Sequence, residues 1–136
     1  MKISVLILDR RRVGEFARLD RRLVEITDDA LLAWPIARCY GSSIHRTDAE
    51  NEAAGARTRI HVVTPSSGLR ALDLSGHNIG GTVEDRWRAC GRVAAAINRK
   101  WAYDPQRPGK KVAFADKHGT APHVHLQVHR NTRRAA

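Results

Sequence analysis

The segment His123-Val124-His125-Leu126-Gln127-Val128-His129 places three imidazoles and a carboxamide at alternate positions. On a strand this alternation turns Val124, Leu126 and Val128 into the core and lines His123, His125, Gln127 and His129 along the opposite face. Two imidazoles two residues apart can converge on one ion or on one reacting group. Zinc takes neutral imidazole nitrogen and carboxylate oxygen at ~2.0–2.2 Å, and catalytic zinc keeps three protein ligands with the fourth position left for water. A His-x-His alone fits solvent-facing histidines on an ordinary strand equally well. Upstream, Arg70 to Leu74 alternates so that Leu72 and Leu74 point one way and Asp73 the other, toward a cleft or solvent. Cys39 and Cys90 stand alone and far apart in the chain. They read as free thiols of a reducing compartment and not as a zinc or redox pair. Any metal would thus be held by His and carboxylate.

The elements that must position these residues follow from periodicity. Lys2 to Leu8 opens as a short strand, and Arg11 to about Leu32 carries Val13, Phe16, Leu19, Leu23, Ile26 and Ala30 near helical period, with a charged, solvated outer face. Ile36 to Ile44 is strand-like. Thr47 and Glu50 form a capping-box pattern for a short helix, and a loop or strand runs on through His61. The clearest helix spans Thr82 to Trp101, capped by Thr82 with Asp85 and striped by Val83, Trp87, Cys90, Ala94, Ile97 and Trp101, which reads as core. Pro105 and Pro108 mark a turn before two strands, Lys111 to Asp116 and His123 to His129. Arg133 and Arg134 are expected to fray.

At 136 residues the chain has room for one domain and one core. Residues 1–35 supply an N-terminal strand and helix, and 36–132 a motif-bearing core. Lys and Arg number 24 against 14 Asp and Glu, a formal charge of +10, which draws the chain to polyanions: nucleic acid, cell-wall polymer or acidic membrane. Aromatic content of 5% leaves few platforms for stacking bases, and the basic residues are scattered along the chain, so pure nucleic-acid binding is the less favoured reading. The apolar run Val5 to Leu8 is far short of the ~20 residues of a spanning helix, and Asp9 ends it before it could act as a signal-peptide core. The expected location is the cytoplasm of the producing cell or a virion.

Three segments together carry a family resemblance. Gly68-Leu69-Arg70-Ala71-Leu72-Asp73-Leu74, Ile97-Asn98-Arg99-Lys100-Trp101-Ala102-Tyr103-Asp104-Pro105 and His123-Val124-His125 follow one another in an order and spacing that resembles the zinc peptidases comprising D-Ala-D-Ala carboxypeptidases, murein endopeptidases, lysostaphin-like enzymes and the hedgehog domain, above all their short phage-encoded members. The resemblance covers about Ile36 to Thr132. It implies an α+β fold, a central antiparallel sheet flanked by helices, with a zinc site on one sheet face. It also implies hydrolysis of a peptide bond in a peptidoglycan stem peptide or cross-link, and peptidoglycan or another anionic wall polymer as partner.

In the family pattern Asp73 and His125 are metal ligands, and His123 acts as general base or stabilises the oxyanion. The first ligand of that pattern, a His seven residues before the Asp, is replaced here by Ser66, which substitutes poorly for imidazole at zinc. His61, just upstream, takes that role if the Thr64-to-Gly68 segment is a longer loop, an inexpensive change because closure entropy grows slowly with length. The position of the family's Glu, three residues before the last His, holds Pro122. Arg70 either pairs locally or meets a substrate carboxylate, Gln127 either fixes a ligand tautomer or fills the polar face, and His118 either lines the cleft or is an exposed loop residue. His77 and His129 read as surface residues. His45 with Thr47 lacks the second His-x-Thr that a two-histidine phosphoesterase needs. The alternative is a catalytically degenerate member, a basic binding or virion structural protein that keeps the fold and binds nucleic acid.

Overall fold

The computed structural model describes residues 3–44, 69–115 and 121–135. The capping-box pattern at Thr47, and His45, His61, Ser66 and His118, lie outside the described residues.

In chain order the described elements are β1 (Val5–Ile7), α1 (Arg10–Phe16), α2 (Arg21–Ala33), β2 (Arg38–Ser43), β3 (Ala71–Ser75), α3 (Val83–Lys100), β4 (Trp101–Ala102), β5 (Ala113–Phe114), β6 (His123–Gln127) and β7 (Arg133–Arg134). Five strands form one sheet in the order β1-β2-β3-β6-β5, and β4 pairs with β7 apart from it. The fold is thus α+β, as expected, but the sheet is mixed and not purely antiparallel: β1 runs parallel to β2 while the other pairs run antiparallel. The cause is the connection. The chain leaves β1 and returns through α1 and α2, a crossover that lets β2 enter beside it in the same direction.

The single helix expected from Arg11 to about Leu32 is two. Asp9 caps α1 by accepting the Arg12 N–H, and Asp20 caps α2 by accepting the Arg22 N–H. Between them the chain is drawn into the sheet edge, where the Asp20 N–H donates to Leu69 O at 2.9 Å. An Asp whose side chain completes the first turn favours a new helix start over passage of an old one.

The Thr82–Asp85 capping box forms as read, with reciprocal side-chain and backbone bonds opening α3. The buried stripe of α3 is Ala89, Cys90, Val93, Ala94 and Ile97. Trp101 is buried just beyond it, but Val83 is 54% exposed and lies outside the core. This stripe and Leu23, Ile26, Ala30 and Leu31 of α2 pack on one sheet face, against Leu72, Leu74, Val124 and Leu126, each 0% exposed. At roughly 25 cal/mol per Å2 of apolar area, that layer is the main stabilising term of the fold. Cys39 and Cys90 are unpaired and buried in it. Burial pushes their thiols up to about 12 and about 11.

Arg133 and Arg134 do not fray. They pair with Ala102 and Trp101, the Arg134 guanidinium sits 4.5 Å from the Trp101 ring centre, and Trp101 Nε1 donates to Asp29 Oδ2 at 2.7 Å. Among the described residues no helix is long and apolar enough to cross a membrane.

Candidate functional site

The site is built by strand register. In the antiparallel pair β3–β6, Asp73 lies directly opposite His125 and Ser75 opposite His123. Side chains directly opposite on one face have Cβ atoms about 4.5–5.5 Å apart, so the register alone brings carboxylate and imidazole together. Across the sheet the row continues at both ends, with Ser43 of β2 beside Asp73 and Phe114 of β5 beside His125.

Asp73 and His125 meet at 2.8 Å, Oδ1 to Nδ1, and each is 6% exposed. The strand was expected to aim Asp73 at a cleft or solvent; its face is right and its exposure is not. Both faces of β3 are covered, so the alternation separates two buried environments instead of core and water. An Asp is almost never this buried without a partner, and here the imidazole N–H supplies one.

The second ring nitrogen, Nε2, lies 3.2 Å from Gln127 Oε1, and the Gln127 amide nitrogen donates to Lys111 O at 2.9 Å. Gln127 therefore contacts the imidazole on the side opposite Asp73. The Phe114 ring stacks at 4.5 Å and 30° over the His125 ring. The strand carrying Phe114 is fixed in turn by α3: the Asn98 side chain donates to Ala113 O at 2.7 Å and accepts the Ala113 N–H at 3.1 Å. A helix side chain thus stands in for a strand partner and sets the height of Phe114 over the imidazole.

His123 sits two residues along on the same strand, half-buried, with its ring 5.7 Å from that of Trp87. Its Nδ1 is 2.8 Å from Ala121 O. A carbonyl only accepts, so Nδ1 carries the proton and Nε2 becomes the basic nitrogen. Beside it Ser75 Oγ is 2.7 Å from His77 Nδ1, and the His77 ring lies 5.1 Å from that of Tyr40. The ends of β3 and β6 are held close by Gly76, whose N–H donates to Pro122 O at 2.8 Å. A Cβ on Gly76 would stand 2.7 Å from the buried Cys90 Sγ, so the position requires glycine.

No family model, curated protein or solved structure matches this chain. The site must therefore be read from its own geometry.

Of the predicted site residues, Asp73, His125, His123 and Gln127 share one sheet face and two adjacent strands. His61 and His118 lie outside the described residues. Among the described residues no group of three or more His, Cys, Asp or Glu gathers at one point. Arg70 stands one residue before β3; its carbonyl accepts the Val128 N–H at 3.0 Å, and its charge helps lower the pKa of His129. His129 is drawn away from the site, with Nδ1 3.8 Å from Asp104 Oδ2. The sequence reading missed Ser43, Phe114 and the Ser75–His77 contact. Phe114 was within reach of sequence reasoning, because a strand neighbouring β6 must set one large residue beside the buried imidazole; Ser43 was not, because the register shifts between Gly41 and Ser43.

Proposed function

We propose that this chain is a zinc-dependent peptidase acting on peptidoglycan stem peptides or their cross-links, with Asp73, His125 and His61 as the protein ligands and His123 as the general base. The observation that carries the reading is the in-register Asp73–His125 pair, buried and in direct contact, on the strand face that also bears His123. A carboxylate oxygen and an imidazole nitrogen are the donor types zinc takes in catalytic sites, and a protected pocket of the sheet is a suitable place for them. The donor set fits two of the three protein positions. The family pattern puts the third at Ser66, and His61 takes that place if the Thr64-to-Gly68 segment is a longer loop; the substrate class, peptidoglycan, comes from the resemblance. Bound zinc would polarise a scissile carbonyl and lower the pKa of its water toward ~7.

The chain's own residues have separable tasks. Asp73 meets His125 at Nδ1 and Gln127 meets the same ring at Nε2, and to ligate zinc the ring would exchange one of these contacts for the ion. Phe114 excludes water from the ring face, which strengthens each electrostatic contact beneath it. His123, with its proton fixed on Nδ1 by Ala121 O, offers Nε2 to accept a proton from the attacking water and to return it to the leaving amine.

The experiment is metal analysis of untagged protein by elemental mass spectrometry, beside digestion of purified peptidoglycan. We expect about one zinc per chain, and a His123→Ala variant that keeps the metal while losing about 10²–10⁴-fold in rate. Protein that takes up no zinc after supplementation would overturn the reading.

One observation favours the second reading, a binding domain that has dispensed with metal. Oxygen atoms of Asp73 and Gln127 face both nitrogens of His125, so the ring's two hydrogen-bonding positions are filled by protein groups. Failure to bind zinc with the fold intact would select it.

A further inference from the structure

The basic residues look scattered in the sequence, but α3 gathers three of them. Arg88, Arg92 and Arg99 are exposed and, at 100° per residue, fall within one narrow arc of the helix, running about 16 Å along its axis. The residues between them on this face are small: Ala95 is exposed, and a Cβ on Gly91 would meet nothing within 4 Å. Nothing bulky rises between the guanidinium groups. Among the described residues Arg92 and Arg99 form no ion pair, and Arg88 reaches an exposed Asp85 at 3.3 Å, a contact worth little. Across the molecule the basic residues are arginine apart from Lys2, Lys100, Lys110, Lys111 and Lys117. Arginine is the residue suited to planar, bidentate phosphate contacts.

The same face narrows the choice of partner. It carries no aromatic platform, which a single strand bound by base stacking would use. It carries no apolar surface either, because the apolar stripe of α3 is spent on the core, so neither an interfacial membrane helix nor a hydrophobic protein contact fits. What remains is charge along one line of the helix, at intervals of four and seven residues. We infer that the outer face of α3 binds the phosphate backbone of duplex nucleic acid without reading its sequence, through Arg88, Arg92 and Arg99. A duplex presents one negative charge per ~1.7 Å of axis, far denser than the stripe, so register along the polymer is not demanded. The stripe lies on the helix side of the sheet and the Asp73–His125 pair on the other, so this binding stands independently of the peptidase reading.

The test is fluorescence anisotropy with a labelled duplex across a salt series. The triple variant Arg88→Gln, Arg92→Gln, Arg99→Gln is compared with Arg10→Gln, Arg18→Gln, Arg21→Gln, an equal change of charge at exposed sites elsewhere. Thermal melts check that both triples stay folded. The stripe variant should lose about 3 units from the slope of log K against log salt, since each phosphate contact contributes about 0.9, while the control triple keeps most of the slope. Equal losses in the two triples would reduce the effect to net charge and overturn the site. So would absence of salt-dependent duplex binding in the unmodified protein, or tighter retention on a poly(glycerol phosphate) wall polymer or on anionic vesicles than on duplex.

Discussion

Among the described residues two Asp–His pairs are built from nearby histidines, and they do different things. His125 and His129 lie four residues apart, yet the first meets Asp73 at 2.8 Å across two paired strands and the second stands 3.8 Å from Asp104 beyond the strand end. Asp104 is already committed. It accepts from the Gln106 N–H, from Arg107 Nε at 2.9 Å and from Asn131 Nδ2, while His129 Nδ1 accepts the Asn131 N–H. The Arg107 contact holds the Asp104 carboxyl below the usual carboxylate range, and burial together with the Arg107 charge lowers the pKa of His129. Beside this second pair the Thr132 hydroxyl donates to Tyr103 O at 2.7 Å and ties the same loop together. In the first pair the carboxylate is turned to the imidazole by strand register. A carboxylate saturated by arginine and amides is a latch. One aimed at an imidazole in a covered sheet face can hold an ion or orient a base.

Breaking the first pair should have the larger effect. Asp73→Ala leaves a buried imidazole without its partner and should cost about 3 kcal/mol in urea unfolding, with loss of bound zinc in the same preparation. A variant with unchanged stability and metal content would mean that the register contact is incidental. Next in size is Asn98→Ala, which deprives Ala113 of both backbone bonds and should cost about 1–3 kcal/mol by chemical denaturation. It should also quicken amide exchange at Phe114 while leaving α3 protected. Retained protection at Phe114 would show that β6 alone positions β5.

The latch should respond to acid. Asp104 and Asp20 are both held below the ordinary carboxylate value by an arginine, Arg107 and Arg22. For a depressed carboxylate the stabilisation is fully present above the unfolded value near ~4 and is lost as pH falls through the folded value. Thermal melts should therefore fall below about pH 4, and Asp104→Asn should flatten that fall without altering zinc content. An unchanged acid limb in Asp104→Asn would remove Asp104 from the account. The smallest effect should come from His129→Gln, within about 0.5 kcal/mol of the parent in stability and with metal content untouched; loss of zinc there would merge the two pairs into one site.

The parts of this protein that were legible in its sequence are those fixed within a turn or a strand. Thr82 and Asp85 bond reciprocally three residues apart, so the start of α3 is local information. Val124 and Leu126 occupy alternate positions of one strand, so the face of His123 and His125 follows from the pleat. The split at Asp20 was written in the sequence too, as a capping residue, but the apolar period ran across it and outweighed it. Arginines 88, 92 and 99 were likewise at helical spacing and read as scattered only along the linear chain.

Tertiary structure decided the rest. The parallel placing of β1 beside β2, the pairing of Arg133 and Arg134 with β4, and the covering of Asp73 all depend on contacts between residues tens of positions apart. No local propensity encodes such contacts, because their free energy comes from area buried jointly by two segments. The sequence determined that a carboxylate and an imidazole each occupy the polar side of a strand. Only the register of β3 against β6, set by packing Leu72 and Leu74 over Leu126 and Val124, decided that those two groups face each other and meet.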